Sequence, residues 1–225
     1  MAKVSTGVPF LDQFLNGGYD EDIITTYYGP SGSGKTNLCL IAAVKMAETG
    51  KKVIFIDTEG GIATERILQL TATPDEVLSR ILFSQPVTFA EQKEIFLHLK
   101  DNLPDDTGLI LVDSISMLYR IELGQSEEVY EVNSALGKQI ASLVEIARRK
   151  KIPVLLTTQV YADFDNKDKV KIVGGDLLKY GSKCLIELQT LNNCRRLLLK
   201  KHRSQPEGQE TFFKIVQTGI EEVIR

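Results

Sequence analysis

Short apolar, β-branched runs alternate with longer stretches of helical period along most of the chain. The runs Ile23 to Tyr28, Val53 to Asp57, Ile81 to Ser84, Leu109 to Asp113 and Pro153 to Gln159 are nearly continuous in apolar residues, the pattern of strands covered on both faces. Strands separated by helical segments predict an α/β protein with a mostly parallel central sheet flanked by helices. Helix starts are marked at Thr73-Pro74-Asp75-Glu76 and Thr88-Phe89-Ala90-Glu91; both have the form of capping boxes, the first with proline at the first helical position. In the longest helical stretch Val129, Val132, Leu136, Ile140, Leu143 and Ala147 recur at spacings of three and four, one apolar stripe to lay on the sheet. Beyond about residue 184 the period changes. Cys184 to Gln189, Arg195 to Lys200 and Thr211 to Val216 predict successive strands joined by turns at Asn192-Asn193 and Pro206-Glu207-Gly208, an antiparallel C-terminal extension of the sheet. Neither a repeat nor a linker interrupts the pattern, so a single domain over residues 1–225 is expected.

Composition agrees with a packed domain. With 43% apolar and 25% charged residues in 225, the chain can bury a core without disulfide or metal staples, and a fully disordered chain is excluded. Cys39, Cys184 and Cys194 are odd in number and lie in apolar or mixed stretches, the usage of a reducing cytosol, and no Cys/His spacing resembles a zinc site. The start Met1-Ala2-Lys3-Val4-Ser5 lacks the apolar core of a signal peptide, and no run of about 18 apolar residues occurs. The expectation is a soluble, cytoplasmic protein with no membrane partner. Net charge is −3, but ten Lys/Arg stand against five Asp/Glu between Val160 and Arg203, leaving −8 for the remainder. Such segregation is either an ordinary solvated surface or the footprint of an anionic partner.

The chemistry begins at Gly29-Pro30-Ser31-Gly32-Ser33-Gly34-Lys35-Thr36, a match to G-x-x-x-x-G-K-[ST] placed between a predicted strand and a predicted helix. Glycines there let backbone N–H groups converge on phosphate oxygens, while the following helix points its positive end at the same anion. Lys35 would add a charge at the β/γ-phosphates, and Thr36 would offer its hydroxyl to Mg²⁺. Leu109 to Asp113 is an apolar strand ending in a carboxylate. Beside a phosphate loop Asp113 is a candidate to hold Mg²⁺ through water; alone it would be a turn or cap residue. Glu59 follows the strand Val53 to Asp57, just before Gly60-Gly61. If that strand lies near the loop, Glu59 is placed to orient a water for in-line attack; otherwise it is an exposed turn residue. Gln159 closes an apolar strand, either as a γ-phosphate contact that signals to the next loop or as a polar strand end without a ligand.

Together these elements resemble the RecA-like recombinases of the archaeal and eukaryotic branch. Ser5-Thr6-Gly7-Val8-Pro9-Phe10-Leu11-Asp12 with Asn16-Gly17-Gly18 is similar to the family's entry motif, and Asp57-Thr58-Glu59-Gly60 to its catalytic glutamate motif. Asp113-Ser114 with Leu118-Tyr119-Arg120, then Thr158-Gln159-Val160 and Gly174-Gly175-Asp176, match further stretches, so the resemblance runs from residue 5 to about 220. The chain begins almost at the core and is expected to lack the family's helical N-terminal DNA-binding domain, and in this it resembles the short archaeal recombinase paralogues. The resemblance implies a RecA-like P-loop NTPase core, ATP and Mg²⁺ as cofactors, and catalytic roles for Glu59, Lys35 and Gln159. It further implies weak DNA-dependent ATPase activity, binding to single- or double-stranded DNA, and an accessory or mediator role in homologous recombination and DNA repair, beside the main archaeal recombinase and other recombination proteins. Homo-oligomers are within the family's range. The alternatives are a nucleotide-gated binding module with essentially no hydrolysis, or a RecA-like ATPase unrelated to recombination. A small-molecule phosphotransferase is disfavoured because no arginine-rich lid accompanies the motifs.

The chain departs from the family in its first DNA loop. Ile121 to Glu128 carries three acidic residues and no base, and an acidic loop repels phosphate. The second loop, Tyr161 to Val173, holds Lys167, Lys169 and Lys171 with Tyr161 and Phe164, a mixture able to contact phosphates and stack bases, or simply to remain a solvated loop. Arg195, Arg196, Lys200, Lys201 and Arg203 bracket Leu197-Leu198-Leu199, a core strand whose basic ends are candidates for DNA or for a neighbouring subunit's nucleotide.

Overall fold

The computed structural model describes residues 2–162 and 170–224. In chain order the elements are β1 (Lys3–Val4), α1 (Pro9–Phe14), β2 (Tyr19–Asp20), β3 (Ile24–Tyr28), α2 (Lys35–Glu48), β4 (Lys52–Asp57), α3 (Thr64–Leu70), α4 (Pro74–Arg80), β5 (Ile81–Ser84) and α5 (Phe89–Asn102). They continue with β6 (Thr107–Asp113), α6 (Met117–Gln125), α7 (Val129–Lys150), β7 (Val154–Thr158), β8 (Val160–Ala162), β9 (Val170–Ile172), α8 (Gly175–Gly181), β10 (Cys184–Thr190), β11 (Arg195–His202), β12 (Glu210–Val216) and β13 (Gly219–Glu222).

The large sheet has the order β13-β12-β11-β10-β3-β7-β6-β4-β5. From β10 to β5 neighbouring strands are parallel, and β10 through β13 pair antiparallel, as the alternation of apolar runs and helices predicts. The parallel strands are apolar along their length because both faces are covered. One face packs α2 against Tyr27, Phe55, Leu111, Leu197 and Phe213; the other packs α5 and α7 against Ile54, Ile110, Val112 and Leu156. The stripe on α7 is buried at Val132, Leu136, Ile140, Leu143 and Ala147, whereas Val129, on the first turn, is 50% exposed.

Several local features depart from the sequence pattern, among them the β8–β9 pairing at the two ends of the segment read as a loop. Thr88 caps α5 by accepting from the Glu91 N–H, but Thr73 makes no side-chain cap on α4, which starts on Pro74 alone. There Thr71 Oγ1 accepts the Thr73 N–H instead, at 3.2 Å. Ile121 to Gln125 is not loop but the second half of α6, anchored by the buried Leu118 and Tyr119 of its first half. The largely polar strand β13 extends the antiparallel edge beyond the apolar signal.

The amino end is tied to the carboxyl-terminal strands. β1 pairs antiparallel with β2, and Asp20 of β2 is buried. Its carboxylate lies 3.6 Å from Lys3 Nζ, 3.7 Å from His202 Nε2 and 3.0 Å from Arg203 Nε, and Arg203 also donates to Asp22 at 2.6 Å. The bonds to Asp22 and Asp20 raise the Arg203 pKa above its ordinary value, so the guanidinium stays charged.

Candidate nucleotide site

The glycine-rich loop leaves the carboxyl end of β3, which β7 flanks on one side and β10 on the other. The connection from β3 runs through α2 to β4 on one side, whereas that from β7 crosses back to β10 on the other, and open α/β sheets bind their ligands in the crevice at such a point. A side chain on Gly29 would begin 2.3 Å from the Leu188 carbonyl oxygen of β10, so only glycine lets the loop turn there. Gly34 is the N-cap of α2 at φ 103°, a left-handed conformation that aims the first turn of the helix at the loop's interior.

Lys35 is 8% exposed, and its ammonium donates to the carbonyls of Gly29 at 3.0 Å and Pro30 at 2.9 Å. Burial pushes its pKa down, and the charges of Asp113 and Glu59 push it back up. Ser33 is fully buried, and its hydroxyl has no partner among the described residues. A phosphate oxygen seated in the loop would satisfy that hydroxyl.

Thr36 Oγ1 donates to Asp113 Oδ2 at 2.6 Å, and the hydroxyl of Thr157 donates to Asp113 Oδ1. Burial raises the Asp113 pKa, opposed by the hydrogen bonds from Thr157 and Thr36. A hydroxyl beside a carboxylate is a pair of hard oxygen donors, of the kind Mg²⁺ takes together with phosphate and water. This donor set fits the ion that the loop motif implies.

β4 is not adjacent to β3, since β7 and β6 intervene. Glu59 nonetheless reaches the loop's side of the sheet, close enough for its charge to act on Lys35 and Asp113. There Gln159 Nε2 donates to its Oε1 at 2.9 Å. Asp57 shapes that approach: its Oδ1 accepts from the N–H groups of Glu59 at 3.2 Å and Gly60 at 2.9 Å, a side-chain turn that directs the carboxylate. Gln159 also leads into the β8–β9 ribbon, and its carbonyl accepts from the Val173 N–H at 3.1 Å. Lys35, Thr36, Asp113, Glu59 and Gln159 therefore meet along the carboxyl ends of β3, β6, β4 and β7.

Two residues without a sequence signal join this arrangement. Arg66 on α3 donates to Asn37 Oδ1 at 2.8 Å, the Gln217 carbonyl at 2.7 Å and the Gly219 carbonyl at 3.0 Å, joining α2 to the β12–β13 turn. A lone arginine in a short helix carries no spacing that marks such a role. Thr157 is equally hidden, as an unremarkable residue inside an apolar strand.

The basic candidates have varied partners. Lys171 of β9 stands opposite Tyr161 of β8 in register, while Lys167, Lys169 and Phe164 lie outside the described residues. Arg196 pairs with Glu210 and donates to Gln189 at 3.3 Å. Lys200 lies 3.8 Å from Glu187, and Lys201 donates to the carbonyls of Lys179 at 2.5 Å and Ser182 at 2.9 Å, closing the end of α8. Arg203 belongs to the Asp20 cluster, and Arg195 lies against the glycine-rich loop with Nη2 3.4 Å from the Gly32 carbonyl.

Residues 1–223 match the family model described as Rad51. The chain belongs to the Rad51 family. It is 42% identical over 213 residues to the DNA repair and recombination protein RadB of Methanococcus maripaludis, covering 94% of this chain and 96% of that protein. A protein of the same description from Thermococcus gammatolerans is 38% identical over 226 residues, covering 98% and 99%. The crystal structure of the RadB recombinase superposes with a TM-score of 0.83 at 37% identity, covering 98% of this chain and 99% of that one. The RecA-like family to which these proteins belong generally binds ATP with Mg²⁺. Among the described residues no helix is long and apolar enough to cross a membrane.

Proposed function

We propose that this Rad51-family chain is a cytoplasmic, ATP- and DNA-binding accessory protein of homologous recombination, with slow Mg²⁺-dependent ATP hydrolysis. The single observation that carries the reading is the convergence of Lys35, the Thr36–Asp113 pair and the Glu59–Gln159 pair around one phosphate loop.

The loop amides and Lys35 bind and orient the triphosphate, with Lys35 exchanging its two carbonyl acceptors for phosphate oxygens. Thr36, and Asp113 through water, are the residues that would hold Mg²⁺, which when bound would supply charge stabilisation at the terminal phosphate. Glu59 orients the attacking water and accepts its proton at the carboxylate. Gln159 shares a hydrogen bond with Glu59, and a γ-phosphate within reach of its amide competes for that bond. Since the Gln159 backbone is bonded to Val173 behind the ribbon, this competition couples nucleotide state to the segment that carries Lys167, Lys169 and Lys171. DNA binding through that segment and assistance to a main recombinase complete the proposal.

The same Glu59–Gln159 bond favours a second reading, a gate in which ATP sets the ribbon and turnover is vestigial. ATP turnover measured with and without single-stranded DNA over a salt series separates the two. DNA-stimulated turnover supports the ATPase; tight nucleotide binding without turnover supports the gate; and no nucleotide binding in either condition rejects both.

A further inference from the structure

The basic stretch at the start of β11 contains one arginine whose surroundings differ from the rest. Arg195 pairs with Thr190 of β10 and Phe213 of β12 in register. Leu197 and Leu199, two and four residues on, are buried on the α2 face, so strand alternation puts Arg195 on that face, above the first turn of α2. Its Cδ lies 3.4 Å from where a side chain on Gly34 would begin, in company with Phe213 and Ile215. Arg196 points to the opposite face and is neutralised by Glu210.

Arg195 has no acidic partner among the described residues. Its only side-chain hydrogen bond there is the long one to Gly32, and its Nε is buried without an acceptor. The neighbouring charges have the same sign: Lys35 follows Gly34 directly, and α2 presents the positive end of its dipole. An unpaired guanidinium against a helix N-terminus is unfavourable unless an anion is shared between them. The buried Ser33 hydroxyl in the same loop also lacks a partner among the described residues. Two unsatisfied donors therefore border one loop that is already positive.

On the nucleotide reading above, on which this rests, we infer that Arg195 is a nucleotide-contacting cation acting within its own chain, at the α/β-phosphate end, and not part of a DNA surface. Sheet order sets the end it serves. Glu59, Asp113 and Gln159 lie on the β7, β6 and β4 side of the loop, and Arg195 comes from β11 on the other side. Lys35 and Arg195 thus bracket a polyphosphate from opposite flanks, and Arg195 acts equally on di- and triphosphate.

The test is a titration of Mg-ATP and Mg-ADP into wild type, Arg195→Gln, Arg195→Lys and Lys35→Met over a salt series. Arg195→Gln is expected to weaken ATP and ADP alike by about tenfold or more, the loss of one charge-assisted hydrogen bond. It should also make nucleotide affinity less sensitive to salt. Arg195→Lys should restore most of both. The melting temperature without nucleotide should hold or rise, because a like charge has left the helix N-terminus. DNA affinity and its salt slope should not change. The inference is overturned if Arg195→Gln leaves both nucleotides within twofold of wild type, if only ATP is weakened, or if the loss is insensitive to salt, as for a mere brace of the loop. A flattened DNA salt slope with intact nucleotide affinity overturns it too and returns Arg195 to the DNA surface. If Lys35→Met binds normally, the nucleotide reading itself fails; if Lys35→Met loses binding and Arg195→Gln does not, only the assignment of Arg195 fails.

Discussion

Lys35→Met is the most direct probe of the phosphate site, because methionine keeps the alkyl packing of a side chain that is almost wholly buried and removes only its charge and donors. A charge-assisted hydrogen bond contributes roughly 1.5–3 kcal/mol, or about 10- to 150-fold in affinity. In the wild type the ammonium must give up its bonds to Gly29 and Pro30, which trims the gain, while burial strengthens each remaining contact, so a loss of about 30-fold is expected. Thermal denaturation with and without Mg-ATP measures this directly. At a nucleotide concentration about 100 times the wild-type Kd, binding adds about 2.7 kcal/mol, a rise of roughly 5–11 °C for a domain of this size. A variant about 30-fold weaker keeps about 0.9 kcal/mol, or roughly 2–4 °C. The melting temperature without nucleotide should move little, since the buried ammonium is itself penalised by desolvation. An undiminished nucleotide-induced rise in the variant would refute the reasoning at its root.

Other outcomes follow from the same geometry. Glu59→Gln should retain nucleotide affinity while any turnover falls by about 100-fold or more, and equal single-turnover rates in the two proteins would remove the role given to Glu59. Neutralising Lys167, Lys169 and Lys171 together should weaken single-stranded DNA binding and lower the magnitude of its salt slope by up to about two units; an unaltered slope places the DNA elsewhere. His202 is held below its ordinary pKa of 6.5 by burial, with Lys3 and Arg203 in the same sense and Asp20 opposing. A depressed pKa stabilises the neutral form in the fold, so this contribution is complete above pH 6.5 and is lost as pH falls through the lower folded value. Melting curves from about pH 8 down to about pH 5 should therefore show a flatter pH dependence for His202→Gln, and identical slopes would contradict the assignment.

The parallel core was legible because β3, β4, β6 and β7 are covered on both faces and so are written as nearly unbroken apolar runs. The two-residue strands β1 and β2 are too short to show a period, and β13 lies at a half-solvated edge where polar residues serve as well as apolar ones. The phosphate loop was legible for a different reason: its chemistry is contiguous, so spacing alone displays it. The meeting of Glu59 with Gln159 spans 100 residues and depends on strand order, which no local pattern encodes. Arg195 illustrates the opposite hazard. Counted along the chain it belongs to a basic cluster with Arg196 and Lys200, yet strand alternation sends adjacent residues to opposite faces, and the structure separates what composition had grouped.

The Asp20 cluster gives the first two dozen residues a weight out of proportion to their small strands. Deleting them would strip Arg203 of both its carboxylate partners, Asp20 and Asp22, and open the pocket that buries His202, and the carboxyl end of β11 would lose its clamp. A shortened version cut back to the start of β3 should therefore fail at its distant carboxyl-terminal hairpins first, so affinity handles are better appended to an intact beginning than substituted for it.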